Sequence, residues 1–294
     1  MRVLLAATVA ALLAGCGQTG SSADPAPAAA APAVTQPAAA EPVAEVSALQ
    51  AAIAGSWRDP ANVARDAWRH PEQTLGFFGI QPTMRVVEIT PGGGWYTEIL
   101  APWLAPSGQL VGALIDPASS SSERARSYYS ESNQKLRDKL AAAPEQYGKV
   151  ELVEFSLTSP SFGEPASADA VLTFRNVHNW INAGAAPGMF KGFYEVLNPG
   201  GVLGVVEHRA NGDGPEGDRS GYMSEAQVVA LASAAGFVLE EKSEINANPA
   251  DTKDHPNGVW SLPPGNRHDE ADAARLQAVG ESDRMTLRFR KPAG

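Results

Sequence analysis

The chain has 294 residues, a formal net charge of −10 at neutral pH, and 44% hydrophobic against 19% charged residues. So acidic a balance, with no Lys/Arg-rich stretch to offset it, argues against a nucleic-acid partner. A single cysteine, Cys16, excludes an intrachain disulfide and leaves little basis for a zinc-thiolate or redox centre.

The chain begins MRVLLAATVAALLAGC: one basic residue, Arg2, an apolar stretch too short for a permanent span, then small residues before the cysteine. That is the layout of a signal peptide. Leu13-Ala14-Gly15-Cys16 resembles the lipobox of bacterial lipoproteins, which implies removal of residues 1–15 and lipidation of the Cys16 thiol. The alternative is an ordinary signal peptide with an incidental cysteine. Gly17 stands where Asp would imply inner-membrane retention, so the resemblance implies the periplasmic side of the outer membrane. The tract to residue 46 is almost all Ala, Pro and small polar residues, which cannot bury a core; residues 16–46 are expected to form a disordered tether. No later apolar run is long enough to cross a membrane, so membrane contact is expected through the lipid anchor only.

Residues 47–80 read as a helical extension of short helices, with Pro60 in a first turn after Asp59 and Pro71 restarting the chain after His70. Val63, Ala67, Leu75 and Phe78 are expected inside, and Arg58, Asp59, Arg65, Asp66 and Arg69 on a solvated face. From residue 84 short apolar runs alternate with helical segments. Strands are expected at 84–90, 109–115, 150–155, 169–174 and 201–207, with helices near 95–104, 120–142, 184–197 and 224–235. This is the pattern of a parallel sheet covered on both faces. Two further strands, 237–245 and 284–290, are separated by a polar stretch with no helix long enough for a right-handed crossover, so the last strand should pair antiparallel beside its predecessor. The expected fold is α/β: a seven-stranded, doubly wound, Rossmann-like sheet over residues 81–294, with helices on both faces and a lid-like insertion at 246–283.

In such a sheet ligands bind beyond the carboxyl ends of the strands, where strand order reverses. The first strand ends there in VVEITPGGGW, residues 86–95, and its glycines allow close backbone approach to a ligand beside a helix N-terminus. A plain tight turn would use the same residues. Asp116 closes the second strand, where an acid can accept from ribose hydroxyls. ADAVLTFRNVHNWI and VLNPGGVLGVVEHRA follow at the fourth and fifth strands. Together these resemble the class I S-adenosylmethionine-dependent methyltransferases over about residues 80–292. Glu88 matches the acid of that family's first motif, and Gly92 and Gly94 match its second and third glycines, while Thr90 stands where the first is usual. FRNVHNW, GVVEHRA, NANPADTKDHP, GVWSLPP and ESDRMTLRF are also similar to an exported bacterial group of predicted methyltransferases of unestablished substrate. The resemblance implies S-adenosyl-L-methionine as cofactor, with Glu88, Thr90, Gly92, Gly93 and Gly94 around it and Asp116 on its ribose.

The strand ends also collect Arg175, Asn176, His178, Asn179 and Trp180, then Glu207, His208 and Arg209, then Asn246, Asn248, Asp254 and His255. Strand alternation would send Glu207 and Arg209 to one face and His208 to the other. A general base is one use of this rim, and His178 suits it, with Arg175, Asn176 and Glu207 orienting an acceptor. A metal site from His178, Glu207, His208, Asp254 and His255 is a weaker reading, since no fixed ligand spacing joins them; none is assigned. A hydrogen-bonded network stitching the insertion to the sheet is the third. Trp260 and Leu262 would anchor the insertion, and Trp95 would pack on the lid, the core or an adenine. Three functions follow: methyl transfer to a small-molecule or envelope-associated acceptor, an exported, non-catalytic ligand-binding or scaffolding protein that keeps the fold, or a metal-dependent hydrolase or oxidase using the histidine-rich rim.

Overall fold

Runs of Val, Ile, Leu and Phe build the strands of a computed structural model that describes residues 47–213 and 218–294. The expected leader, Cys16 and the tether lie outside the described residues. The strands are β1 (Arg85–Ile89), β2 (Gln109–Ile115), β3 (Glu151–Phe155), β4 (Ala168–Phe174), β5 (Leu197–His208), β6 (Val238–Ser243) and β7 (Arg284–Arg290). They form one seven-stranded sheet in the order β3-β2-β1-β4-β5-β7-β6. The first five pair in parallel, and β7 runs antiparallel to both β5 and β6. The last strand thus enters beside its predecessor, as the missing crossover helix requires. Strand order reverses between β1 and β4, which opens a crevice at their carboxyl ends.

Four short helices make the extension: α1 (Ala48–Ile53), α2 (Pro60–Val63), α3 (Asp66–Arg69) and α4 (Pro71–Phe77). Asp59 caps α2 through the Ala61 N–H, with Pro60 in the first turn. Around the sheet lie α5 (Thr97–Leu104), α6 (Glu123–Ala142), α7 (Pro144–Tyr147), α8 (Val177–Asn182), α9 (Ala186–Val196), α10 (Glu225–Ala234) and α11 (Ala273–Val279). No helix among the described residues is long and apolar enough to cross a membrane. Helix α8 was not expected: it starts inside FRNVHNW, whose asparagines read as loop, because Val177, His178 and Trp180 all find burial on one side.

Alternation along β1 divides the core into two layers. Val87 and Ile89 join Val111, Trp180, Phe190 and Phe193, whereas Val86 joins Leu75, Phe78, Tyr96, Ile99 and Leu100. Glu88 shares the face of Val86, toward α5 and the extension. The extension docks through Phe78, whose ring lies where a Cβ on Gly204 of β5 would sit, 2.8 Å from its nearest carbon. Packing that close needs glycine.

The expected solvated face of the extension holds for Asp59 but fails for Arg58 and Arg69. Val63 is 43% exposed and Ala67 is exposed too, whereas Arg58 and Arg69 are 3% and 2% exposed. The reason is tertiary pairing: Arg58 forms a bidentate bridge to Asp66, and Arg65 and Arg69 reach Glu281 from the far end of the chain. The Arg58 and Arg69 guanidinium groups also sit 5.3 and 4.8 Å from the centre of the Trp95 ring.

Candidate active site at the strand ends

A cavity of about 440 Å³ opens at the β1/β4 crevice, within the range of roughly 300–1,000 Å³ usual for small-molecule sites. Much of its wall comes from four places, with Tyr96, Tyr128 and His208 adding to it. The glycine loop supplies Thr90 to Gly93, the turn after β4 supplies Arg175, Asn176 and His178, the extension supplies Arg65 and Arg69, and the insertion supplies Trp260, Glu281 and Ser282. The expected wall from 246–283 is present, with Leu262 buried behind it.

Two lining residues other than glycine hold left-handed backbone: Thr90 at φ 51° and Arg175 at φ 61°. Such conformations cost about 1–3 kcal/mol each and persist where the surrounding structure imposes them. Thr90 therefore occupies a position that favours glycine, and its buried Oγ1 has no hydrogen-bond partner among the described residues. Gly92, at φ 60°, and Gly93 carry the backbone past open space, where an added Cβ would meet nothing within 4 Å. Gly94, at φ 79°, instead faces Leu136 of α6, so its role is packing.

Glu88 sits beneath this loop, 2% exposed, and accepts a 2.6 Å hydrogen bond from Thr97 Oγ1. Burial raises its carboxyl to about 7, against a smaller opposing effect of Thr97. Asp116 is placed differently. It ends β2 as expected, but its Oδ1 accepts from the Ala118 N–H and it does not line the cavity; Tyr128 of α6 forms that flank.

The rim divides in two. Glu207, 0% exposed at the end of β5, accepts from the backbone N–H groups of Val177, His178 and His208 and lies 3.1 Å from His178 Nδ1. With its oxygens so engaged as acceptors, the network assigns the proton of His178 to Nδ1 and leaves Nε2 as the lone-pair nitrogen. His208 pairs through Nδ1 with Ser282 Oγ at 2.6 Å, and its ring centre is 5.4 Å from that of His178. The alternation expected for residues 207–209 fails here: Glu207 and His208 converge on His178, while Arg209 turns away to Glu225, Glu244 and Asp283. The His208 N–H also bonds the Glu207 carboxylate, at 2.8 Å.

Donor atoms of His178, Glu207 and His208 lie within 4.8 Å of one another, a spacing compatible with a metal ion. The electrostatics oppose one. Burial, then His178, Arg175, Arg284 and Arg69, hold His208 well below its ordinary value; a ring so kept neutral is the form that ligates, but the three arginines would repel a cation. The wider metal set is dispersed: Asp254 is exposed and bonds Thr252, and His255 is committed to Asp251 at 2.9 Å. Asn246 bonds Thr74 and Thr286, and Asn248 bonds the carbonyls of Val279 and Glu281. This half of the rim is the stitching network.

Sequence reasoning missed the arginines of the extension. Arg65 lies 2.6 Å and Arg69 3.1 Å from Glu281, which Arg284 also contacts at 2.9 Å. Burial works against ionisation of Glu281, but Arg69, Arg284, Arg175 and Arg65 outweigh it and hold the carboxyl at about 2. Arg175 is pushed down to about 10 by burial, with Glu281 opposing and Arg284 and Arg65 reinforcing. The one available signal was the i, i+4 spacing of Arg65 and Arg69, which sets both on one helical side.

No protein-family model matches this sequence, and no curated protein matches it. Solved structures do. The [4+2]-cyclase SpnF is 17% identical with a TM-score of 0.54, the match covering 82% of this chain and 86% of that one. A Galdieria sulphuraria protein provisionally described as a sarcosine dimethylglycine methyltransferase is 15% identical with a TM-score of 0.51, over 80% and 88% of the two chains. An S-adenosylmethionine-dependent methyltransferase from Aquifex aeolicus is 15% identical with a TM-score of 0.49, over 79% and 94%. The first two matches, at these identities, show likeness of fold alone: the chain has the seven-stranded, Rossmann-like methyltransferase fold.

Proposed function

We propose that the protein is an S-adenosylmethionine-dependent methyltransferase acting on a small-molecule or envelope-associated acceptor. The observation that carries this reading is the pair Gly92 and Gly93, open toward a cavity at the strand-order reversal, directly above the buried acid Glu88. A cationic ligand suits Glu88, because a positive charge beside it offsets the burial that disfavours its carboxylate. The orphaned Thr90 Oγ1 adds a further polar contact. Asp116 lies on the same strand-end edge but outside the cavity, so the ribose contact expected of it rests on the family resemblance alone.

When bound, the cofactor supplies an electrophilic methyl group for in-line displacement. Glu207 holds His178 by Nδ1, leaving Nε2 to take the proton from the acceptor as its oxygen or nitrogen attacks. Asn176 is tied to the Ile89 carbonyl at 3.2 Å and links the turn after β4 to the glycine loop. Val259 and Trp260 close the outer wall and keep water from the reacting atoms. Export and lipidation at Cys16 belong to the same proposal and rest on Leu13-Ala14-Gly15-Cys16.

The test is calorimetric titration of wild type and Gly93→Ala with S-adenosylmethionine and S-adenosylhomocysteine. Gly93 has no left-handed backbone and room for a methyl group, so the variant should fold and melt as wild type does. Its ligand affinity should fall tenfold or more. No binding of either ligand to wild type at millimolar concentration would end the reading and leave a ligand-binding protein of other specificity.

A further inference from the structure

We propose that the inner part of this cavity is an oxyanion site in which Arg175 and Arg69 receive a carboxylate or phosphate group. The inference deepens the methyltransferase reading by naming the ligand chemistry, but the site itself stands on the side chains present.

The charge count is the first observation. Arg65, Arg69 and Arg175 line the cavity and Arg284 contacts Glu281 beside them, against the carboxylate of Glu281 and the carboxyl of Glu88, which burial raises to about 7. This cationic cluster sits in a chain whose net charge is −10. Glu281 already satisfies Arg284 and takes only the Nε groups of Arg65 and Arg69, so the Nη groups of Arg69 keep their donors.

Arg175 is the second. It directs no hydrogen bond or ion pair from its guanidinium to any described residue, although it is largely withdrawn from water. A planar fork of five N–H donors matches a carboxylate or phosphate in shape as well as charge. Its backbone is held at φ 61°, with the Arg175 N–H bonded to the Val206 carbonyl at 2.7 Å, so β5 fixes the base of the side chain.

The surroundings suit a small acid. Asn62, Asn176 and Asn179 offer neutral partners at the cavity wall, while Tyr96 and Phe174, stacked 3.6 Å apart, offer an apolar surface. An anion held at Arg175 brings the rest of the same molecule toward His178, three residues along the turn. The oxyanion has two sources: the acceptor, or the carboxylate of the cofactor's own amino-acid end.

The experiment uses the full chain as wild type, Arg175→Gln and Arg175→Lys. Inorganic phosphate and acetate are titrated calorimetrically with and without S-adenosylhomocysteine, and S-adenosylhomocysteine is compared with 5′-methylthioadenosine, which lacks the carboxylate. Arg175→Gln should weaken oxyanion binding tenfold or more, with Arg175→Lys in between. Loss of phosphate or acetate affinity in the nucleoside-loaded protein assigns the site to the acceptor. Loss of S-adenosylhomocysteine affinity with methylthioadenosine unchanged assigns it to the cofactor. Should the variants not fold, phosphate must still raise the wild-type melting temperature saturably where chloride at equal ionic strength does not. Equal affinities in wild type and Arg175→Gln, or no effect of phosphate beyond that of chloride, overturn the site. Failure of S-adenosylhomocysteine to bind wild type removes the methyltransferase reading while the phosphate arm still decides this one.

Discussion

At the ends of β1, β4 and β5 the histidines, arginines and carboxylates face a cavity, whereas near the ends of β6 and β7 the same residue types close on one another. Asp251 accepts from Tyr222 Oη and His255 Nε2 at 2.9 Å and from the Asp283 N–H at 2.8 Å. Arg209 and Lys253 bracket Asp283 at 2.9 and 2.8 Å. On the cavity side the Arg175 guanidinium makes no ion pair or hydrogen bond to the described residues, Thr90 Oγ1 has no partner, and Thr90 and Arg175 hold left-handed backbone, as Lys253 does in the closed half. Composition does not separate the two halves. What separates them is where the partners lie: in the closed half most polar groups pair within the chain, Asn246 Oδ1 and His255 Nδ1 excepted.

That contrast can be broken by substitution, beginning with the largest effect. His178→Gln should lower S-adenosylhomocysteine formation, measured over a deproteinised extract as acceptor source, by about 10²–10⁴-fold, with cofactor affinity unchanged. Glu281→Gln, on the boundary between the halves, strips the counter-charge from buried Arg69 and Arg284. It should destabilise the fold by about 3–5 kcal/mol in denaturant titration and tighten phosphate binding.

Glu88 sharpens the comparison through pH. Burial raises its folded value to about 7 from 4.5, so between these pH values the folded chain keeps a proton that the unfolded chain has lost. The group's contribution to stability is full below pH 4.5 and is lost as pH rises through 7. Glu88→Gln removes that loss and should be more stable than wild type at pH 8 by up to about 3 kcal/mol. If the cofactor's positive charge settles beside Glu88, wild type should also release a proton on binding near pH 6, visible as a dependence of the titration heat on buffer ionisation enthalpy. Asp251→Asn, in the closed half, should cost about 1–3 kcal/mol of stability and leave ligand affinity within about twofold, because that network touches only protein.

The sheet was legible because each strand is a compact apolar run. The antiparallel entry of β7 followed from the lack of a helix long enough to bring the chain back in parallel. The glycine loop and the turn carrying His178 were legible too, since both are local. Helix α8 was hidden by its asparagines, which favour loops in isolation but here flank three side chains that the core buries. The cationic lining was hidden for a different reason. Arg65 and Arg69 look like surface charges until Glu281, more than 200 positions later, is folded against them, and no local pattern carries a contact of that separation. For Glu207 and His208, alternation alone predicted opposite faces, and the tertiary contact of both with His178 was not local information.

Phe78 seated on Gly204 fixes the extension to the middle of the sheet, and with it the order in which the cavity is assembled. The glycine loop, β4 and β5 can associate once β5 has formed, but the counter-charge of the arginine cluster must wait for β7, since Glu281 comes with it. Contacts of such separation form late in folding, after long loops have closed. A chain caught part-way would therefore carry Arg65, Arg69 and Arg175 without the carboxylate that orders Arg65 and Arg69. On the proposed reading, an ordered anion site is then a property of the finished molecule alone.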